Sequence, residues 1–405
     1  RGEEEDAETL IELSGRLSFY GGQRYALLDA WERHPEWMRS LEAHLLQLCR
    51  HPAHQEPSGY YGLSHHAELL REAYRRSHSL AEREALCREV GPQQGWPYED
   101  LISAYQDQGQ WVQALAWADD GLAKLPPQSV YRLMLEEARG SALLRLDRPA
   151  EALATLQSLF ERKRDVSVYL TLRTAAQATG DWAQLYPQLT AAVERQVLTE
   201  IANRTSGFTS GSLMATALLG YAYLLEGQIE RAVAWAVRPD IPVGWNDDDL
   251  TSTVALGLLH MGLAAARATP NDVLREALSG APRLVREQGG LLDATAVTMP
   301  PNPFFDGAVR TYERLLTRAV DGRKRESYAV AGSYARVIGA IRKLQGRGSE
   351  FDAYYPFSKP MPACQPSRMS CAAPLRGQGT SASVEGSLTN DQALPTRTSA
   401  RKSGT

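Results

Sequence analysis

The chain is predicted to be all-α, an α-α superhelix of stacked helical hairpins followed by a tail without regular structure. Three observations carry this. Apolar residues recur at three- and four-residue steps almost end to end, with hardly any alternation of period two. A pattern of aromatic, glycine and small residues returns at intervals of 33 to 47 residues. From Pro356 the helical stripe stops, and the last 50 residues hold 8 Ser, 6 Pro and 4 Gly, so this tail is expected to be disordered.

With 405 residues, 43% hydrophobic and 23% charged, the chain has ample core and falls outside the collagen-like, wholly disordered and disulfide-framework classes. Its formal charge of −4 is too balanced for chain-wide attraction to nucleic acid or an anionic membrane. Taking the tail's six basic and two acidic residues from the chain's 44 and 48 leaves the rest at −8.

Residues 1–96 carry helical periodicity in AETLIELSGRL, YALLDAWERHPEWMRSLEAHLLQLCR, HAELLREAYRR and SLAEREALCREV. Repeats follow over 97–240. In residues 97–127, Tyr98, Leu101 and Tyr105 share a stripe, Gly109 makes a turn, and Trp111, Ala114, Ala118 and Gly121 form a second stripe with small residues for close helix contact. The phasing returns with Pro149 and Ala152, then with Tyr169, Leu172, Ala176, Gly180, Trp182 and Leu185, then with Gly220, Tyr223, Gly227, Ile229, Ala232 and Ala236. This spacing resembles the tetratricopeptide helical hairpin. Residues 241–355 continue the helical pattern, and 356–405 form the tail.

Near the C-terminus, Arg323, Lys324, Arg325, Tyr328, Tyr334, Phe351 and Tyr354 stand in a basic turn, a helix with small residues, and a short F-x-x-Y helix. Together with the repeats, over residues 97–355, this resembles the C-terminal half of bacterial SWIM-type zinc-finger proteins. The resemblance implies a CxC…CxH zinc motif, which is absent from this chain; such an element upstream of Arg1 would confirm the family. It also implies a basic helix after Tyr355, where PFSKPMPACQPSRMSC stands instead, a departure that a shift of reading frame would produce.

Cys49, Cys87, Cys364 and Cys371 contain no CxxC and fit neither a disulfide framework nor a zinc ribbon, which points to a reducing cytoplasm. Two uncharged stretches, 205–225 and 250–266, read as buried helices rather than membrane spans. His34, His44, His51, His54, His65, His66 and His78 crowd the N-terminal region near Cys49, but Pro52 interrupts the cluster and no metal or cofactor is expected. Asp247, Asp248 and Asp249 precede a helix and are read as capping residues. The SGFTSGS loop lacks the strand and GK[ST] ending of a phosphate cradle.

No catalytic motif is present, and the function expected is that of a non-catalytic scaffold binding a protein or peptide. The first helix of each repeat lines the concave side of such an array, and the phase puts Glu99, Ser103, Asp107, Arg145, Thr174 and Gln177 there. A nucleic-acid-associated protein is the alternative. Residues 310–347 carry ten basic and three acidic side chains with Tyr312, Tyr328 and Tyr334 interleaved, and Arg323, Lys324, Arg325, Arg342 and Lys343 would contact phosphates. A third reading is an enzyme built on the N-terminal histidines.

Overall fold

The computed structural model describes residues 28–29, 34–50, 65–203, 214–241, 249–279, 292, 299–322 and 325–354. Among these residues there is no strand. The helices are α1 (Pro35–Arg50), α2 (His65–Ser77) and α3 (Leu80–Gln94), followed by α4 (Trp96–Asp107), α5 (Trp111–Lys124), α6 (Tyr131–Arg145), α7 (Pro149–Arg162), α8 (Val166–Thr179), α9 (Trp182–Asn203), α10 (Met214–Leu225) and α11 (Ile229–Ala236). Then come α12 (Leu250–Ala266), α13 (Asp272–Ser279), α14 (Pro301–Asp321), α15 (Arg325–Leu344) and α16 (Gly348–Tyr354). They belong to one compact unit, Arg1–Ser358; the second unit, Lys359–Thr405, holds most of the expected tail and lies outside the described residues, as does the SGFTSGS loop.

One turn recurs. After α4, Gln110 N–H donates to Tyr105 C=O at 2.8 Å and Gly109 N–H to Gln106 C=O at 2.9 Å, with Gly109 at φ +70°. These two bonds cap the carbonyls that a helix end leaves unmade. The same pair closes α6 with Asp147 (φ +57°), α8 with Gly180 (φ +85°), α10 with Gly227 (φ +66°), α12 with Arg267 (φ +50°) and α15 with Gly346 (φ +73°). Each turn starts a second helix antiparallel to the first. The hairpin of α12 and α13 is therefore a further copy, hidden in the sequence because arginine occupies the left-handed position.

Stacking follows from side-chain size. Apart from α2 with α3 and α13 with α14, each helix packs on the next, and the first helices also pack on one another: α2 on α4, α4 on α6, α6 on α8, α8 on α10, α10 on α12, and α12 on α14. Ala114, Ala118 and Gly121 are buried on α5. A Cβ at Gly121 would stand 2.6 Å from a Leu135 methyl and 3.0 Å from the Tyr98 ring, so only hydrogen lets α5 sit this close to α4 and α6. Two apolar clusters result, one around Trp96, Tyr98 and Cys87, the other running from Leu115 to Phe351.

Helix starts are capped from the sequence. Ser79 and Glu82 make a reciprocal capping box on α3, Asp165 accepts from Val168 N–H on α8, and Asp249 accepts from Ser252 N–H at 2.8 Å on α12. Asp249 thus caps a helix as expected, while Asp247 and Asp248 lie outside the described residues. The uncharged stretches become α10 and α12. From Thr216 to Leu225 every residue is buried, and of α12 only His260 and the last three residues are not. No described helix is long and apolar enough to cross a membrane. Cys49 and Cys87 are buried, and burial pushes the Cys87 thiol well above its ordinary range.

The turn predicts a stability effect. A left-handed backbone strains an L side chain, so Arg267→Gly should raise stability by about 0.5–1 kcal/mol after the entropy cost of glycine. Asp147→Gly should gain less, since aspartate tolerates that region. Urea unfolding of each variant measures the difference.

Candidate functional site

The shared turn gives every hairpin a common ruler. Counting back from the residue at positive φ, the position six residues earlier is Ser103 on α4, Ser141 on α6, Thr174 on α8, Tyr221 on α10 and Met261 on α12. Ser103 and Thr174 are exposed and Ser141 is half-buried, whereas Tyr221 and Met261 are buried. Ten residues back stand Glu99, Glu137, Leu170, Ala217 and Gly257, of which the last three are buried. Two residues back stand Asp107, Arg145 and Ala178, all exposed, then buried Leu225 and half-buried Ala265. Along this line of positions, the one six residues back thus changes from polar on α4, α6 and α8 to buried on α10 and α12, whereas the one ten back is already buried and apolar on α8.

This line lies where first helices meet. Arg71 of α2 donates to Asp100 through Nε at 2.9 Å and stands 3.2 Å from Glu99. Burial pushes the Glu99 carboxyl up, and Arg71 only partly offsets it. On the next interface Glu137 accepts from the Ser167 hydroxyl of α8 and pairs with Lys163 at 2.6 Å. Beyond it Arg173 of α8 reaches Glu226 at the end of α10, 2.8 Å away, with its guanidinium 5.8 Å above the Trp182 ring.

All six residues expected on the face lie on α4, α6 and α8. Glu99 is half-buried beside Arg71; Ser103, Asp107 and Gln177 are exposed; Thr174 is exposed but its hydroxyl donates to Leu170 C=O at 3.0 Å. Arg145 is exposed with its guanidinium 5.5 Å over Trp111 of α5, so it sits at the edge next to the second helix. Glu137, Ser141, Ser167 and Lys163 complete the line. For Glu137 and Ser141 the signal in the sequence is the offset of ten and six residues from Asp147, a turn residue that only becomes visible with its φ.

Three arginines of the basic stretch are engaged by acids outside it. Arg310 pairs with Glu230 at 2.8 Å, Arg342 and Arg347 approach Asp306 at 3.6 and 3.7 Å, and Arg347 also holds Glu350 at 2.7 Å. Lys343 is exposed, Arg323 and Lys324 lie outside the described residues, and Arg325 is described in its backbone alone. Tyr312 is buried with its ring 6.0 Å from that of Tyr334, which leaves Tyr328 as the exposed aromatic.

Of the N-terminal histidines, His51 and His54 lie outside the described residues, as does the side chain of His65. Among the described residues no three His, Cys, Asp or Glu side chains converge in a way that would hold a metal ion. His78 stands 3.2 Å from Ser77 Oγ through Nδ1 and 3.4 Å from Glu42 through Nε2, the order of a serine hydrolase relay. Its proton direction is wrong for that role. The Ser77 hydroxyl hydrogen is spent on Ala73 C=O at 2.8 Å, so Ser77 is the acceptor of the Nδ1 contact. The Tyr74 ring stacks on His78 at 4.0 Å and fixes the arrangement as packing between α1 and α2.

The Glu99 environment gives a pH-dependent prediction. Because its folded pKa is raised, ionised Glu99 costs stability at neutral pH, and the cost disappears as pH falls through the folded value towards the ordinary 4.5. Glu99→Gln should therefore be more stable than the parent at pH 7, with the gain vanishing in acid. Arg71→Ala should lose about 1–3 kcal/mol at pH 7, since it leaves two part-buried carboxylates without a cation. Denaturant titrations at both pH values check the pair. Comparison with family models, curated proteins and solved structures returns no match.

Proposed function

We propose that the chain is a non-catalytic scaffold that holds a protein or peptide partner against the polar line of α4, α6 and α8. The observation that carries this reading is the change along one equivalent position, from Ser103, Ser141 and Thr174 to buried Tyr221 and Met261. A repeat array gains stability from burying that position, as its own later hairpins do. Leaving it polar over three consecutive hairpins forgoes that gain and preserves an open surface. Hydroxyl, carboxylate and amide groups there suit the backbone and polar side chains of an extended segment. The resemblance to SWIM-type zinc-finger proteins supports a nucleic-acid-associated setting, but three of the arginines of 310–347 are already paired with acids.

Site-specific photo-crosslinking tests the reading. A crosslinker at position 103 or 174 should capture the same partner from the native extract, and one at Val112, exposed on α5, should not. Reversing the face with Ser103→Arg, Asp107→Arg, Thr174→Arg and Gln177→Arg should abolish capture while leaving helicity intact. Capture through this face should persist as salt rises, whereas binding through the 310–347 arginines would fall steeply. Equal capture from positions 103 and 112 would refute the proposal.

A further inference from the structure

α2 ends at Ser77 and α3 starts at Leu80, so His78 and Ser79 alone join them, and α1 packs on both helices. Ser79 caps α3. His78 N–H donates to Tyr74 C=O at 3.2 Å, which keeps the imidazole at the C-terminal end of α2, where the helix dipole favours positive charge. Glu42 reaches this joint from α1. Its side chain is 11% exposed, and its neighbours Leu41 and Leu45 are buried with Leu69, Leu70 and Ala73 of α2. A carboxylate thus stands at an apolar contact between helices, where burying an ionised group without a partner is costly.

The contacts of the His78 ring count its protons. Ser77 Oγ gives its own hydrogen to Ala73 C=O, so Nδ1, 3.2 Å away, is the donor of that contact and carries a hydrogen. A neutral imidazole has one N–H, which leaves a lone pair on Nε2 facing Glu42 Oε2 at 3.4 Å. With Glu42 ionised, lone pair meets lone pair, and Oε1 is buried without a hydrogen-bond partner. One further proton resolves the contact. On Nε2 it makes an imidazolium that donates to the carboxylate; on Oε2 it makes an acid that donates to Nε2. The surroundings favour that proton. Glu82 of α3 acts on both Glu42 and His78 as a second negative charge, and the Ser79 hydroxyl and N–H hold its own carboxyl below the usual range. The Tyr74 ring stacks on His78 at 4.0 Å and offers its face to a charged imidazole. Arg50 of α1 is committed to Glu89, and Arg83 of α3 spends Nε and Nη2 on the carbonyls of Tyr74 and Arg75. Burial pushes the Glu42 carboxyl above its ordinary 4.5; His78 offsets part of that and Glu82 adds to it.

We infer that Glu42 and His78 form a one-proton latch that holds α1 on the joint of α2 and α3, closed while the pair carries the proton and loosened when the proton leaves. The sign is the same whichever atom holds it: the latch contributes fully at the acid end, and the contribution is lost as pH rises through the pair's folded value. It does not depend on the partner proposed for α4, α6 and α8.

Hydrogen exchange of the full chain from about pH 5 to about pH 8, corrected for intrinsic rates, tests the latch. Protection of the α1 amides, relative to those of α7, should fall about tenfold over that range. Glu42→Gln puts an amide donor opposite Nε2 that needs no titrating proton, so in this variant α1 should keep its acid-side protection to the alkaline end. The 15N resonances of the His78 ring give a second readout in the unmodified chain: Nδ1 should stay protonated throughout, and the Nε2 signal should shift with the same midpoint as α1 protection. Protection of α1 that does not change with pH in the unmodified chain overturns the proposal. So does a Glu42→Gln variant that keeps the original pH profile, or a His78 ring with Nδ1 bare at the alkaline end.

Discussion

A pair of antiparallel helices cannot bury its own apolar flank, and every other feature of this molecule follows from how neighbouring pairs solve that problem for one another. The left-handed turn at Gly109, Asp147, Gly180, Gly227 and Arg267 sets the rotation between the two helices of a pair and fixes which residues face the next pair. Because the hydrogen-bond pattern is the same each time, a position counted back from the turn means the same place in space in each hairpin. Close approach is then a matter of volume. Gly121 admits Leu135 and Tyr98, and at the crossing of α12 and α14 a Cβ on Gly262 would stand 2.7 Å from the Phe305 ring.

The two halves of the array spend the same geometry differently. At α10 and α12 the line facing away from the second helices is filled by Tyr221, Leu225 and Met261, each worth about 1.5–3 kcal/mol when buried, and the helices are enclosed on all sides. At α4, α6 and α8 the line is bridged instead by Arg71 with Asp100, Lys163 with Glu137, and Ser167 with Glu137. Partly exposed pairs of this kind contribute about 0–1 kcal/mol each. The open half therefore derives its stability from the face between first and second helices, where Leu101, Ala118, Leu172 and Ala176 pack, and its other face is released from the duty of packing.

What the sequence made legible was the part with local periodicity. Leu101, Tyr105, Gly109 and Ala114 declare a hairpin within fifteen residues, and Pro149 and Ala152 betray the next although Asp147 replaces glycine. Arg267 gives no such sign, because its left-handed conformation is imposed by the carbonyls of Leu263 and Ala264 rather than by its own preference. The hairpin it closes was therefore read as helix without phase. On the face, Glu99, Ser103 and Asp107 follow from the phase of Gly109 and Arg145 from that of Pro149 and Ala152, whereas Glu137 and Ser141 join the line through the turn at Asp147. Counting charge along residues 310–347 gave an excess of cations, yet Glu230 and Asp306 that oppose them come from α11 and from the start of α14. Pairing over such sequence distance belongs to the tertiary fold and leaves no trace in a local charge count.

The spacing of the open line bounds what can lie along it. Neighbouring packed helices stand about 8–10 Å apart, so α4, α6 and α8 place Ser103, Ser141 and Thr174 over a span of about 16–20 Å. An extended chain advances about 3.3 Å per residue, which matches that span with five or six residues. At the α10 end Tyr221 and Leu225 close the line with apolar side chains, so an extended segment of more than that length has to leave the surface there. At the α2 end Arg71 is already committed to Glu99 and Asp100, and a partner carboxylate arriving beside them would meet two acids for one cation. Length and charge are thus constrained by the same fold that fixes the turns: a short extended stretch, without an acid at the α2 end, is the shape the face admits.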